Sequence, residues 1–445
     1  MRYTQLTPAD VAHMLKCIGA DRIDDLFRDV AEGYRLKRPL DLPAAMDELA
    51  LLTHLDSLAR RNHGCDELVC FLGGGAYDHF IPTVVDALAM QSEFVTAYTP
   101  YQAEASQGSL QAFYEYQTMI CQLTGMDVSN ASLYDGASAT AEAALMARAI
   151  NGRRRMVVSA TVRPETRQVL DTYFHELPIE LVLVGAENGR TDPGALADAI
   201  DDDTSAVIVQ SPNFFGCVES VQEIADLAHA KGALVIASVD PISCGLLKSP
   251  GACGADIVVG EGQPLGIPLA YGGPYLGFIA CREAFVRKMP GRLVGATTDK
   301  DGRRGFCLTL QTREQHIRRE RATSNVCTNQ GLLALRAAVY LSALGKSGIA
   351  QVARLCLDKA HYAASLIAGI DGFELRFASP FFKEFVVRTR KDVAKVLRHA
   401  RSRGILAGVA LGRWFPDLAD CFLVAVTEKR TRTEMGLLVA ALRDA

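Results

Sequence analysis

The sequence contains no Cys-x-x-Cys. Its twelve cysteines come no closer than Cys65 and Cys70, five positions apart, which excludes a zinc knuckle or a paired redox motif and leaves reduced, mostly buried thiols. A strong excess of either charge is also missing. With a net charge of -4 and a pI near 6.2, nothing electrostatic favours nucleic acid or an acidic membrane as partner. The start, MRYTQLTPADV, lacks an apolar core and meets acidic Asp10 early, so neither a secretory signal nor an Arg-rich transit peptide fits. No apolar run approaches the roughly eighteen residues of a membrane-spanning helix. These absences predict a cytoplasmic protein in a reducing compartment, whose partners must be argued from its sites.

The composition is that of a globular protein, 49% hydrophobic and 22% charged, and excludes a disordered or collagen-like chain. Its 445 residues allow two to three domains at about 150 residues each. From Thr7, an N-cap followed by Pro8, to about Arg61, apolar residues recur at spacings of three and four, predicting a helical arm over 1–61. Between Gly152 and Ile279 the β-branched runs RRMVVSA, ELVLVG, TSAVIVQSP, GALVIASVDP, ADIVVG and YLGFIAC alternate with helical stretches. That alternation predicts an α/β domain over 62–330 with a large, mainly parallel sheet covered on both faces. After Gly331 a long apolar helix leads into helix, strand, helix, strand and helix, a smaller α+β domain over 331–445.

Two nucleotide-like motifs fail on their surroundings. GEGQPLG, starting at Gly260, follows a strand, but Pro264 and Pro268 would break the helix that a dinucleotide motif must open. GKS at Gly345 has Tyr340 where a phosphate-binding loop needs its first glycine, and it closes a helix, which suits a C-cap glycine.

Three other segments suit the sheet edge of a pyridoxal-phosphate enzyme. Asp135, Gly136, Ala137, Ser138 and Thr140 form a small-residue turn opening a helix, where backbone N–H groups and the helix dipole favour a phosphate; a well-capped helix is the plain alternative. Asp240 ends a buried strand, where a carboxylate can keep a pyridinium nitrogen protonated or simply cap the next turn. SPNFFGCVE follows another strand, a usual place for a ring-edge contact. The Schiff base needs a lysine about twenty to thirty residues beyond the aspartate, and that window holds none. The nearest, Lys248 and Lys288, read as surface charges.

The segments FLGGGAYDHFIP, YTPYQAEASQGSLQAFYEYQTMICQLTGMDVSNASLYDGASATAEA, GEGQPLGIPLAYGGPYLGF, LTLQTREQHIRRE and RRERATSNVCTNQGLLAL closely resemble the glycine cleavage system P-protein family, glycine dehydrogenase (decarboxylating). The resemblance spans nearly the whole chain and is to the family's N-terminal half, which in many bacteria is a separate alpha subunit. It implies a fold type I, aminotransferase-like architecture and an alpha-beta pair that dimerises to a heterotetramer. Pyridoxal phosphate would be held covalently by the beta subunit, in keeping with the missing lysine. Glycine would lose carbon dioxide there, and its aminomethyl group would pass to the lipoyl group of the H-protein.

The same resemblance implies that Tyr98, Tyr101 and Gln102 of YTPYQ reach into the beta subunit's site. Thr323, Ser324, Asn325, Thr328 and Asn329 would offer neutral donors to a phosphate across the interface. Asp135, Gly136, Ser138 and Asp240 would line a relic site in this chain. Interface packing and helix capping remain the alternative for each group. Arg313, His316, Arg318, Arg319 and Arg321 form either an electropositive rim or an ion-paired surface helix. His79 reads as a structural histidine, and Gly73, Gly74 and Gly75 as a tight loop. Two further functions stay open: a catalytically silent scaffold, and a self-sufficient pyridoxal-phosphate enzyme using an unexpected lysine.

Overall fold

All six β-branched runs become strands of one seven-stranded sheet. The computed structural model describes residues 5–97, 100–103, 105–326 and 329–445. In chain order the strands are β1 (Val128–Ser129), β2 (Arg155–Ser159), β3 (Glu180–Val184), β4 (Thr204–Ser211), β5 (Leu234–Val239), β6 (Ile257–Glu261) and β7 (Gly277–Cys281), hydrogen-bonded in the order β1-β7-β6-β5-β4-β2-β3. Strands β2 to β6 pair in parallel. β7 runs antiparallel to β6 and to β1, because the connection 262–276 carries no crossover helix.

Both faces of the sheet are covered, with alternate residues of each strand serving opposite cores. Val207 and Val235 face α1 (Gln107–Thr124), which contributes Leu110, Phe113, Tyr116 and Ile120. Ile208 and Ile236 face α2 (Gly136–Asn151), which contributes Ala139, Ala143 and Met146.

The long apolar run becomes α3 (Gly331–Ala368), broken at Gly345, where φ is +60°. Its first part, with Ala334, Ala337 and Tyr340, belongs to the large core. Its second part, with Ala360, Ala363 and Ile367, packs with Phe385, Val387 and Phe422 of a second core. The helix therefore serves both cores, and the change of core falls inside it instead of at Gly331. By length and composition it is also apolar enough to cross a membrane, which corrects the expectation that no such run exists.

The second core rests on a four-stranded antiparallel sheet of β8 (Phe373–Leu375), β9 (Glu384–Thr389), β10 (Val409–Ala410) and β11 (Cys421–Ala425), ordered β8-β9-β11-β10. Helices α4 (Val393–Ser402) and α5 (Arg432–Arg443) complete it.

Residues up to His63 form a compact unit of their own, separate from 64–445. Thr7 and Asp10 make a reciprocal capping box at the helix Pro8–Cys17. A second helix spans Glu48–Ala59, but between the two lie short 3-10 helices at Ile23–Phe27 and Glu32–Tyr34 and then an extended stretch holding Pro39 and Pro43, whose missing donors interrupt the expected helix. No residue of 5–63 is buried, although Leu26, Phe27, Leu42, Leu49 and Leu52 are among its side chains.

Candidate functional site

Asp240 leaves β5 at the C-terminal edge of the sheet, where groups from parallel strands converge. One of its carboxylate oxygens accepts from the Ile242 N–H at 3.0 Å. The other lies 2.7 Å from the ammonium of Lys383, with the two side chains only 9% and 2% exposed. Lys383 comes from the segment entering β9. Its ammonium also donates to Nε2 of His79 at 3.0 Å and sits 3.5 Å from the centroid of the Tyr77 ring. The other ring nitrogen, Nδ1, is hydrogen-bonded to Glu428 at 2.6 Å. Burial alone would raise the Glu428 carboxyl, but charge attraction from His79, then the hydrogen bonds from His79 and the Phe80 N–H, bring it down to about 2.

His79 is thus a satisfied, buried histidine. Cys356 bonds to the same Glu428 carboxylate at 3.4 Å. His79, Cys356 and Glu428 lie close enough to hold a metal ion, and these hydrogen bonds already account for their grouping.

Glu384, next to Lys383, accepts from the Gly74 N–H at 2.7 Å and the Tyr77 hydroxyl at 2.8 Å, while burial pushes its carboxyl up to about 7. Gly74 and Gly75 have φ of +81° and +130°, and a Cβ at Gly75 would collide with the Arg163 guanidinium; the tight loop is a requirement of this packing.

The N-terminus of α2 borders the same cavity. Asp135 caps the helix by accepting from the Ser138 N–H at 2.8 Å, and the Thr140 hydroxyl turns back to the Gly136 carbonyl. The Gly136 N–H, suited to a phosphate, is donated to Glu261 at 3.0 Å. Glu261 accepts from the Gln263 and Leu276 N–H groups as well. A cavity of about 50 Å³ is left, against about 300–1,000 Å³ in ordinary ligand pockets. Pyridoxal phosphate does not fit here: Lys383 occupies the carboxylate that would hold its ring nitrogen, and Glu261 the donor that would hold its phosphate. The structure brings Asp135, Gly136, Ser138 and Asp240 together, but as groups already paired within the chain. Of the SPNFFGCVE segment, Pro212 borders the cavity, while Phe214 and Phe215 pack with Val386, Leu411 and Leu423 in a small core.

A second site is open. The Tyr101 hydroxyl bonds to Asn329 Oδ1, its ring stacks on Phe113 with centroids 5.4 Å apart, and the Arg292 guanidinium lies 4.3 Å from its centroid. Burial raises the Tyr101 phenol, while Arg292 and Asn329 oppose the rise. Among the described residues, Asn329 Nδ2 is buried without a hydrogen-bond partner, an omission that ordinarily costs ~1–3 kcal/mol. Tyr101, Arg292 and Asn329 line a cleft of about 490 Å³. Gln102 borders an adjoining hollow of about 360 Å³ with Arg292, Glu314 and His316.

Thr323 and Asn325 line neither hollow, and Ser324 bonds to Glu142 of α2. Tyr98 and Thr328 lie outside the described residues. The basic cluster divides: Arg313 is half-buried and donates to the Met289 and Gly291 carbonyls, whereas His316, Arg318, Arg319 and Arg321 are exposed.

A family model, glycine cleavage system P-protein, matches residues 1–442. The chain belongs to the glycine cleavage system P-protein family. The probable glycine dehydrogenase (decarboxylating) subunit 1 of Desulforamulus reducens is 52% identical over 442 residues, 99% of each chain. That of Carboxydothermus hydrogenoformans is 54% identical over 445 residues, again 99% of each. A crystal structure of glycine decarboxylase (P-protein) of the glycine cleavage system, in inhibitor-bound form, has a TM-score of 0.92 and 44% identity, with both chains fully covered. A glutamate decarboxylase of Lactobacillus brevis, at 12% identity and a TM-score of 0.67, shares the fold alone. The fold is that of fold type I pyridoxal-phosphate enzymes, and within the P-protein family the chain corresponds to subunit 1 of glycine dehydrogenase (decarboxylating) from end to end.

Sequence reasoning missed Lys383, Glu384, Glu261 and Arg292. The one available signal was FFKEFVV, a charged pair inside an apolar strand run, since buried charges persist only when partnered.

Proposed function

We propose that this chain is the cofactor-free alpha subunit of a two-subunit glycine decarboxylase. The beta subunit holds pyridoxal phosphate covalently, and the two assemble as an alpha2-beta2 heterotetramer that passes the aminomethyl group of glycine to the lipoyl group of the H-protein. The observation that carries this reading is the contrast between a frame of about 50 Å³ closed by Lys383 and Glu261 and a cleft of about 490 Å³ at Tyr101 with a donor to spare.

In this arrangement Tyr101, Gln102 and Asn329 face the neighbour's site, together with Thr323 and Asn325. They orient glycine or cofactor through neutral hydrogen bonds and wall the site from water, which strengthens every interaction within it. The unburied apolar side chains of residues 5–63 also favour a partner, since each large one left in water forgoes about 1.5–3 kcal/mol.

The test is glycine–bicarbonate carboxyl exchange with pyridoxal phosphate and H-protein present, for this chain, a beta subunit, and the mixture. Activity confined to the mixture supports the proposal; activity of this chain alone overturns it. If Tyr101→Phe and Asn325→Ala each cost less than about threefold in the mixture, the silent scaffold is the better account.

A further inference from the structure

We infer that Lys383 and Glu261 are intramolecular stand-ins for the two charged ends of a pyridine-phosphate ligand, and that the frame between them is a latent binding site held shut by the chain itself. The argument rests on matching charges in matching places. A protonated ring nitrogen would present a cationic N–H to Asp240; Lys383 presents a cationic N–H at 2.7 Å. A phosphate would place anionic oxygens at the start of α2, where free N–H groups and the helix dipole favour them; Glu261 places a carboxylate oxygen 3.0 Å from the Gly136 N–H. Both stand-ins border one cavity of about 50 Å³, together with Gly136 and Asp240.

An apolar plug would fill the volume but leave Asp240 and the helix N-terminus without counter-charge. The plug present supplies both, and it does so with a ring beneath the cation, since Tyr77 lies 3.5 Å from the ammonium. Lys383 is tied in place by four partners of different origin: Asp240, His79, the Tyr77 ring, and the backbone, where its carbonyl accepts from the Val426 N–H at 2.9 Å. The frame is therefore complete without a ligand. The inference concerns this chain alone, so it stands or falls separately from the exchange assay.

Equilibrium dialysis of the full-length chain against pyridoxamine 5′-phosphate tests it. This probe carries the ring nitrogen and the phosphate but no aldehyde, so exposed Lys248 and Lys288 cannot capture it by condensation. The native chain is expected to show no saturable binding. The Lys383→Ala/Glu261→Ala variant is expected to bind at least about tenfold more tightly than the native chain, and Asp240→Asn added to it should return binding to the native level. Equal binding by native chain and variant overturns the inference, as does a variant with native near-ultraviolet circular dichroism that fails to bind. If the variant does not fold, Lys383→Met, Asp240→Asn and their combination decide. The combination should melt above both single variants; melting at or below the lower one overturns the stand-in role of Lys383.

Discussion

The Asp240 frame and the Tyr101 cleft are both built from hydrogen-bonding side chains, yet they end in opposite conditions. In the frame, Asp240 meets Lys383, Gly136 meets Glu261, and His79 meets both Lys383 and Glu428. At the cleft, Tyr101 and Asn329 use each other and still leave Asn329 Nδ2 over. A site whose charges cancel within one chain has little left for a ligand. A site with a buried donor to spare is unfinished, and the group that completes it must come from elsewhere. In this P-protein subunit, ligand chemistry is accordingly to be sought at the cleft, away from the place where fold and sequence motifs first point.

The largest test of the contrast is Lys383→Met. It leaves the Asp240 charge buried and unpaired, a change that costs about 3–5 kcal/mol, and should appear as a marked loss of stability in urea; a loss below about 1 kcal/mol would mean the frame is not held by this pair. At the open cleft the balance should reverse. Tyr101→Phe is expected to lower turnover of the assembled subunits at least about tenfold, or about 1.4 kcal/mol, while changing stability by only ~1 kcal/mol. A large stability loss with turnover intact would make Tyr101 a packing residue.

Glu384 sharpens the contrast through pH. Burial raises its carboxyl from 4.5 to about 7, so the folded state binds the proton more tightly than the unfolded one. Its contribution is fully present below pH 4.5 and lost as the pH rises through about 7. Glu384→Gln should flatten the pH dependence of stability across that window, read from urea midpoints; an unchanged slope would place the titration elsewhere. The smallest effects are expected at exposed Lys248 and Lys288, where alanine should change stability by no more than about 0.5 kcal/mol and leave exchange untouched. Loss of activity at either would revive the self-sufficient enzyme.

Local pattern made much of the fold legible. Val, Ile and Leu runs of strand length marked six strands of the large sheet, and Thr7 before Pro8 and the small-residue turn from Asp135 announced two helix starts. The antiparallel β7, the proline-interrupted arm and the sharing of α3 between two cores were less legible, because each depends on what a segment packs against. The cofactor frame was legible on one side only. Asp135, Gly136, Ser138 and Asp240 sit in recognisable strand and helix-cap contexts, but their partners Glu261 and Lys383 do not.

By itself, the sequence determined the six long strands of the large sheet and the helix starts at Thr7 and Asp135, the lack of a lysine in the expected window, and the family resemblance. Only the tertiary structure decided that the frame is closed and the cleft open. Lys383 and His79 lie 304 positions apart, and Tyr101 and Asn329 228 apart. Spacing along a chain reports which residues share a helix face or a strand face; which charge neutralises which is settled only when the folded sheets bring them within hydrogen-bonding distance, where burial makes an unpaired charge costly enough to select its partner.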